Sequence, residues 1–193
     1  MNKLVISLTM IIMLIPAASF AKPKAPGVLD DEKIITNESL SKYKTVGVEV
    51  FSIDDVKYDN VDDQEKMEMK RHLKEWRRKL ARTIADDLKD SGVNAFVIED
   101  SKDTGKADMV IEGSITKVNL GSAGARVFFG WGAGQAGLDV KGELKDAKSG
   151  DSLAKFGHSN TSGLKNGEKW DLVSHEVDDL GDKIAEFVIK LRK

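Results

Sequence analysis

The residues whose types and spacing could do chemistry stand between Arg126 and Gly137. Gly132-Ala-Gly134-Gln-Ala-Gly137 has the G-x-G-x-x-G spacing, and Arg126 lies upstream as a candidate phosphate ligand. Glycines so spaced let backbone N–H groups close on a pyrophosphate, which then rests on the N-terminus of a helix just downstream. Here the downstream residues, Leu138 to Leu144, alternate, so a strand is expected where that chemistry needs a helix dipole. Binding of a small ligand or nucleotide through the glycine-rich loop 130–137 and Arg126 is therefore the second reading. Glycines also permit a bulge or a close backbone approach at a strand entry. Phe128, Phe129 and Trp131, on a backbone loosened by Gly130, Gly132 and Gly134, offer another chemistry: an apolar tip for a protein or a lipid surface. Large aromatics more often turn inward. Phe128 is expected to plug the core, and Trp131, flanked by glycines, is the candidate for exposure.

No other constellation assembles. His72 stands beside Arg71 and Lys74, His158 falls in a hairpin, and His175 precedes Asp178 and Asp179, without paired-histidine spacing or a Cys ligand. Asp30-Asp31-Glu32 and Asp62-Asp63 lack the order of a calcium loop, and no G-x-S-x-G elbow exists. No catalytic residue, metal or cofactor is expected, and the chain reads as a non-enzyme. With 30 basic and 32 acidic residues the formal net charge is −2. That balance carries no footprint for nucleic acid. The basic run from Lys70 to Arg82 is interleaved with Glu75 and preceded by Glu68, which suits a solvated helix face.

The elements that must position these residues are legible from periodicity. Tyr43 to Phe51 alternates Val46, Val48 and Val50, a strand with one buried face. Met69, Leu73, Trp76, Leu80, Ile84 and Leu88 recur at three- and four-residue steps and predict a long amphipathic helix. Asn60 and the acids after it suit its start, and Gly92 suits its stop. Strands are expected at Val93–Glu99 and Met109–Thr116. Leu138 to Leu144 alternates apolar with charged residues, and pairs as a hairpin with Leu153–Ser159 through the turn Asp146–Asp151. A last helix carries Trp170, Val173, Val177, Leu180, Ile184, Phe187, Val188 and Leu191 on one stripe. Gly181 inside that stripe suggests a close helix–sheet approach. Trp76 and Trp170 are expected to face the sheet. The whole is an α+β two-layer sandwich, a mostly antiparallel sheet of about five strands with two long helices on one face.

The amino terminus bears on compartment. Met1-Asn2-Lys3, an apolar run from Leu4 to Pro16, and Ser19 and Ala21 at the −3 and −1 positions make a secretory signal cleaved after Ala21. That apolar run is short for a bilayer span. The expected organisation is a signal peptide over 1–21, an extended leader over 22–41 and a single domain over 42–193. With no cysteine there is neither a disulfide framework nor a site for a lipid anchor.

One stretch is dense in signature. Ala107-Asp108 before Val110-Ile111-Glu112-Gly113, then Gly121 and Arg126, the glycines at 130, 132 and 134, and Leu144-x-Asp146-Ala147-x-x-Gly150-x-x-Leu153-Ala154 resemble the DUF4410 family of exported bacterial domains. The resemblance implies an exported domain, often a lipoprotein, from which this chain departs by lacking the lipobox cysteine. It brings no catalytic residues. The expectation is a non-enzymatic periplasmic domain of the bacterial cell envelope that contacts an unknown envelope protein. No nucleic-acid partner is expected, and no integral span after signal cleavage.

Overall fold

The computed structural model describes residues 23–59, 61–121, 136–161 and 169–193. Among them, seven strands and two long helices form one α+β sandwich: β1 (Asp31–Ile34), β2 (Thr45–Glu49), β3 (Lys57–Asp59), α1 (Asp63–Asp90), β4 (Asn94–Ile98), β5 (Met109–Asn119), β6 (Gly137–Asp146), β7 (Ser152–Thr161) and α2 (Lys169–Leu191). Short 3-10 turns lie at Leu40–Lys42 and Ser101–Lys106. The order across the sheet is β1-β7-β6-β5-β2-β4, with β3 against the end of β5.

The α+β class is as the sequence predicts; the count and sense of the strands are not. The sheet is mixed, with seven strands rather than about five. β2 pairs in parallel with both β4 and β5, and β3 is parallel to β5. β1, β7, β6 and β5 run antiparallel in succession. The parallel half arises from α1, which carries the chain back over the sheet so that β4 restarts in the direction of β2. The two added strands, DEKI and KYD, are too short and too charged to show alternation. β1 lies within the stretch expected to be an extended leader.

α1 begins at a capping box. Asp62 Oδ1 accepts the Glu65 N–H at 2.8 Å, and Glu65 Oε2 accepts the Asp62 N–H at 3.1 Å. It ends before Gly92, whose φ of +81° is cheap for glycine alone. Its stripe from Met69 to Leu88 is buried as the spacing predicts. On the facing sheet, β5 presents Met109, Ile111 and Ile115, then shifts register between Ile115 and Lys117. That bulge moves the inward parity by one, so Val118 and Leu120 are also buried.

One correction concerns the helices. A Cβ on Gly181 would lie 2.6 Å from Thr83 Cγ2, so this glycine serves a close α1–α2 crossing, not a helix–sheet approach. Trp76 is buried, and Trp170 is half buried and packs against the same core. It stacks on His72 of α1 at 4.6 Å between ring centroids, with Trp76 also stacked on that imidazole at 5.3 Å.

Candidate functional site

Arg126, Phe128, Phe129, Gly130, Trp131, Gly132 and Gly134, and with them the tip and plug readings, lie outside the described residues. The flanks are described. Asn119 pairs with Gly137, and Gly137 with Thr161. A Cβ on Gly137 would come 2.6 Å from the Asn160 carbonyl oxygen, so glycine is needed there for strand packing. The segment from Gly137 onward is strand β6. The dinucleotide pattern therefore lacks the helix N-terminus that would hold a phosphate.

The other signature residues gather at the opposite end of β5 and β6, and their polar atoms are spent on the fold. Asp108 Oδ2 accepts the backbone N–H groups of Lys44 and Thr45 at 2.9 and 2.8 Å, fixing the start of β2. The Asp108 carbonyl accepts the Ala147 N–H at 2.9 Å. Asp146 Oδ1 accepts from Lys148 and Ser149, while its Oδ2 accepts the Tyr43 hydroxyl at 2.9 Å. The two backbone donors, and after them Tyr43, hold the Asp146 carboxyl below the usual range. The Tyr43 phenol is pushed up, first by burial and then by Asp146. Gly150, at φ +77°, closes the β6–β7 turn. A shallow cleft of about 560 Å³ opens over this end. Through these bonds Asp108 and Asp146 clamp the start of β2 to the β6–β7 turn.

The sheet face turned away from the helices carries the charge. Glu112 of β5, Glu143 of β6, Lys155 of β7 and Lys33 of β1 are aligned in one row across the strands. Lys145 Nζ lies 2.5 Å from Glu112 Oε1 and 3.2 Å from Glu143 Oε1, and Lys155 reaches Glu143 at 3.6 Å. Glu112 holds the Lys145 ammonium above its ordinary value, with Glu143 assisting. Glu49 on β2 is pushed up, first by burial and then by the Glu112 charge. A shallow cleft of about 660 Å³ runs between Glu49, Glu112, Glu143 and Lys155. Gly113 and Gly142 line it as well. A Cβ on Gly113 would lie 2.5 Å from the Phe51 ring, and one on Gly142 2.5 Å from the Glu112 carbonyl oxygen.

A third cluster escapes sequence reasoning. His158 of β7 is buried, with Nδ1 2.9 Å from Asp30 Oδ2 and Nε2 2.9 Å from Lys183 Nζ of α2. Asn160 on the same face donates to the Glu176 carbonyl at 3.2 Å. The one signal that points to it is parity, since Phe156, His158 and Asn160 share the inward side of β7. Among the described residues no group of three or more His, Cys, Asp or Glu side chains could hold a metal ion.

The model of the domain of unknown function DUF4410 matches residues 46–165. The chain belongs to the DUF4410 family. The DUF4410 match starts in β2 and stops before α2, so the helix that closes half of the core lies beyond it. Among solved structures the chain is similar to the PelC dodecamer from Paraburkholderia phytofirmans, at 13% identity and a TM-score of 0.48, covering 79% of this chain and 97% of that one. It is also similar to protein XCC0632 from Xanthomonas campestris, at 8% identity and a TM-score of 0.40, covering 74% and 81%. Lipoprotein GNA1162 from Neisseria meningitidis matches at 13% identity and a TM-score of 0.37, covering 65% and 85%. No curated protein matches the sequence.

Proposed function

We propose that this chain is a non-enzymatic periplasmic domain of the bacterial cell envelope that works by protein–protein contact. The observation that carries this reading is the charged sheet face. Its carboxylates and ammonium groups neutralise one another along a shallow cleft instead of converging on one atom, as a reacting centre would require. Mixed, half-exposed charge on a rigid sheet suits orientation of a macromolecular partner, because such groups give specificity and register more than raw affinity. Periplasmic location is supported by the signal pattern ending at Ala21. Among the described residues no helix is long and apolar enough to cross a membrane.

The test is capture of envelope proteins by the purified domain, beside a variant with the face inverted by Glu143→Lys and Lys155→Glu. The expected result is a partner retained by the parent and lost by the inverted variant, with both melting alike. Equal capture by the two would remove the face from the reading. A rise in melting temperature with nucleotides, abolished by Arg126→Ala, would replace it with the ligand-binding alternative. Intact mass of protein recovered from the periplasm tests the export claim, and a mass retaining residues 1–21 would defeat it.

A further inference from the structure

His158 touches three parts of the molecule: its own strand, the amino-terminal strap before β1, and α2. The strap enters the core through Leu29, which is buried. Its next residue, Asp30, places Oδ2 2.9 Å from His158 Nδ1 and 2.8 Å from the Ser159 N–H. On the other side of the ring, Lys183 Nζ lies 2.9 Å from Nε2 and 3.5 Å from Asn160 Oδ1. Hydrogen-bond roles fix the state of the imidazole. An ammonium has donors only, so Nε2 must offer a lone pair. A carboxylate has acceptors only, so Nδ1 carries the proton and donates to Asp30. The Asp30 N–H, 3.3 Å from Nδ1, is the long contact that gives way. His158 is therefore neutral and bridges an anion on the strap to a cation on α2.

We propose that His158 is a proton-operated coupling between the amino-terminal strap and α2. Neutral, it holds both. A second proton must go to Nε2, where it meets the Lys183 ammonium donor to donor. Lys183 then leaves the ring, while the Asp30 contact becomes an ion pair. Acidification thus transfers His158 from α2 to the strap instead of releasing everything at once. Among the described residues, the charged groups facing the ring are Asp30 from the strap and Lys183 from α2. β6 presents apolar Val140 opposite it. Glu176 is buried nearby on α2 and contributes its backbone carbonyl to Asn160. Burial and then Lys183 hold the imidazole below the ordinary histidine value, against the opposing pull of Asp30, which agrees with the assignment from geometry.

The experiment is NMR titration of the His158 ring in the full-length protein, joined to amide hydrogen exchange along α2. Lys183→Met should move the ring's midpoint up and Asp30→Asn should move it down; an unchanged midpoint in Lys183→Met overturns the proposal. In the parent, exchange of α2 amides near Lys183, corrected for intrinsic rates, should be roughly tenfold faster at about pH 5 than at about pH 7.5, the factor for losing one charge-assisted hydrogen bond. Asp87 of α1, raised to about 6 first by burial and then by its hydrogen bond to Asp182 of α2, titrates in the same range. The reading is therefore the difference from His158→Gln, which cannot take a proton and keeps the carboxyl pair. Equal pH dependence in parent and His158→Gln would refute the coupling. If His158→Gln does not fold, the opposite shifts in Lys183→Met and Asp30→Asn decide alone.

Discussion

The two faces of one sheet solve opposite problems with the same backbone. On the helix side Val46, Val48, Met109, Ile111, Leu138 and Leu144 are buried against α1 and α2. Glycine at 142 makes room for the Phe156 ring, which in turn packs on Phe187 of α2 at 5.8 Å between centroids. On the other side Glu112, Glu143 and Lys145 retain 32%, 21% and 31% of their side-chain exposure and pair across strands. The first face gains from every apolar atom removed from water. The second gains little, because ion pairs near solvent are screened and cost side-chain freedom. The difference teaches where stability resides: the covered face can tolerate no loss, and the charged face, on the reading proposed above, is free to change with a partner.

The sharpest way to break that contrast is on the covered side. Phe187→Ala should cost about 3–5 kcal/mol, the range for truncating a buried aromatic. Chemical denaturation should show the midpoint falling with the slope kept. A midpoint like the parent's would mean that α2 is not core. Gly142→Ala comes next, at about 1–3 kcal/mol, because its Cβ meets a backbone oxygen as well as a ring. Relief of that loss by adding Phe156→Leu would trace it to the ring; no relief would assign it to the Glu112 carbonyl.

How much is legible in the sequence divides along the same line. The covered face announces itself by period: the α1 stripe and the β6 alternation each lie in one continuous segment, and both are as expected. The parallel pairing of β2 with β4 and β5 does not, because direction depends on how α1 crosses over and on no residue within the strands. β1 and β3 leave no trace because three or four residues are too few for a pattern. Gly181 signals close packing, correctly, yet its partner Thr83 is nearly a hundred positions away in sequence. His158 and Asp30 are likewise far apart, so an Asp–His–Lys cluster leaves no spacing to find. The glycine loop and Arg126, the most conspicuous chemical candidates, lie outside the described residues.

A smaller effect separates the helix layer from the sheet through pH. Asp87 of α1 is raised to about 6 from 3.8, first by burial and then by a hydrogen bond to Asp182 of α2. An acid raised in the folded state binds its proton more tightly there than in the unfolded chain. Its contribution is therefore complete below about 3.8 and is lost as pH rises through about 6. Asp87→Asn should leave stability near pH 4 unchanged and raise it at pH 7 by up to about 1 kcal/mol after solvent screening. His158 has the opposite sign: lowered when folded, it favours the native state above 6.5 and loses that advantage as pH falls below it. In Asp87→Asn the remaining pH dependence between about 5 and 7 should then slope upward with pH. Denaturation midpoints across that range measure it. A profile identical to the parent's would show that the two carboxyl groups do not share a proton.

The smallest expected change is on the charged face, and its smallness is the point. Lys145 bridges Glu112 and Glu143, so removing it leaves two carboxylates opposite each other in register. Directly opposed like charges destabilise a sheet. Both groups keep access to water, however, so Lys145→Ala should cost no more than about 1 kcal/mol at low salt. The loss should shrink further at high ionic strength, where the Debye length falls to about 3 Å at about 1 M. Thermal melts of parent and variant across a salt series measure it. A loss of several kcal/mol that ignores salt would mean that this face is covered in the folded protein. The contrast between the two faces would then fail, and with it the reason to look for a partner there.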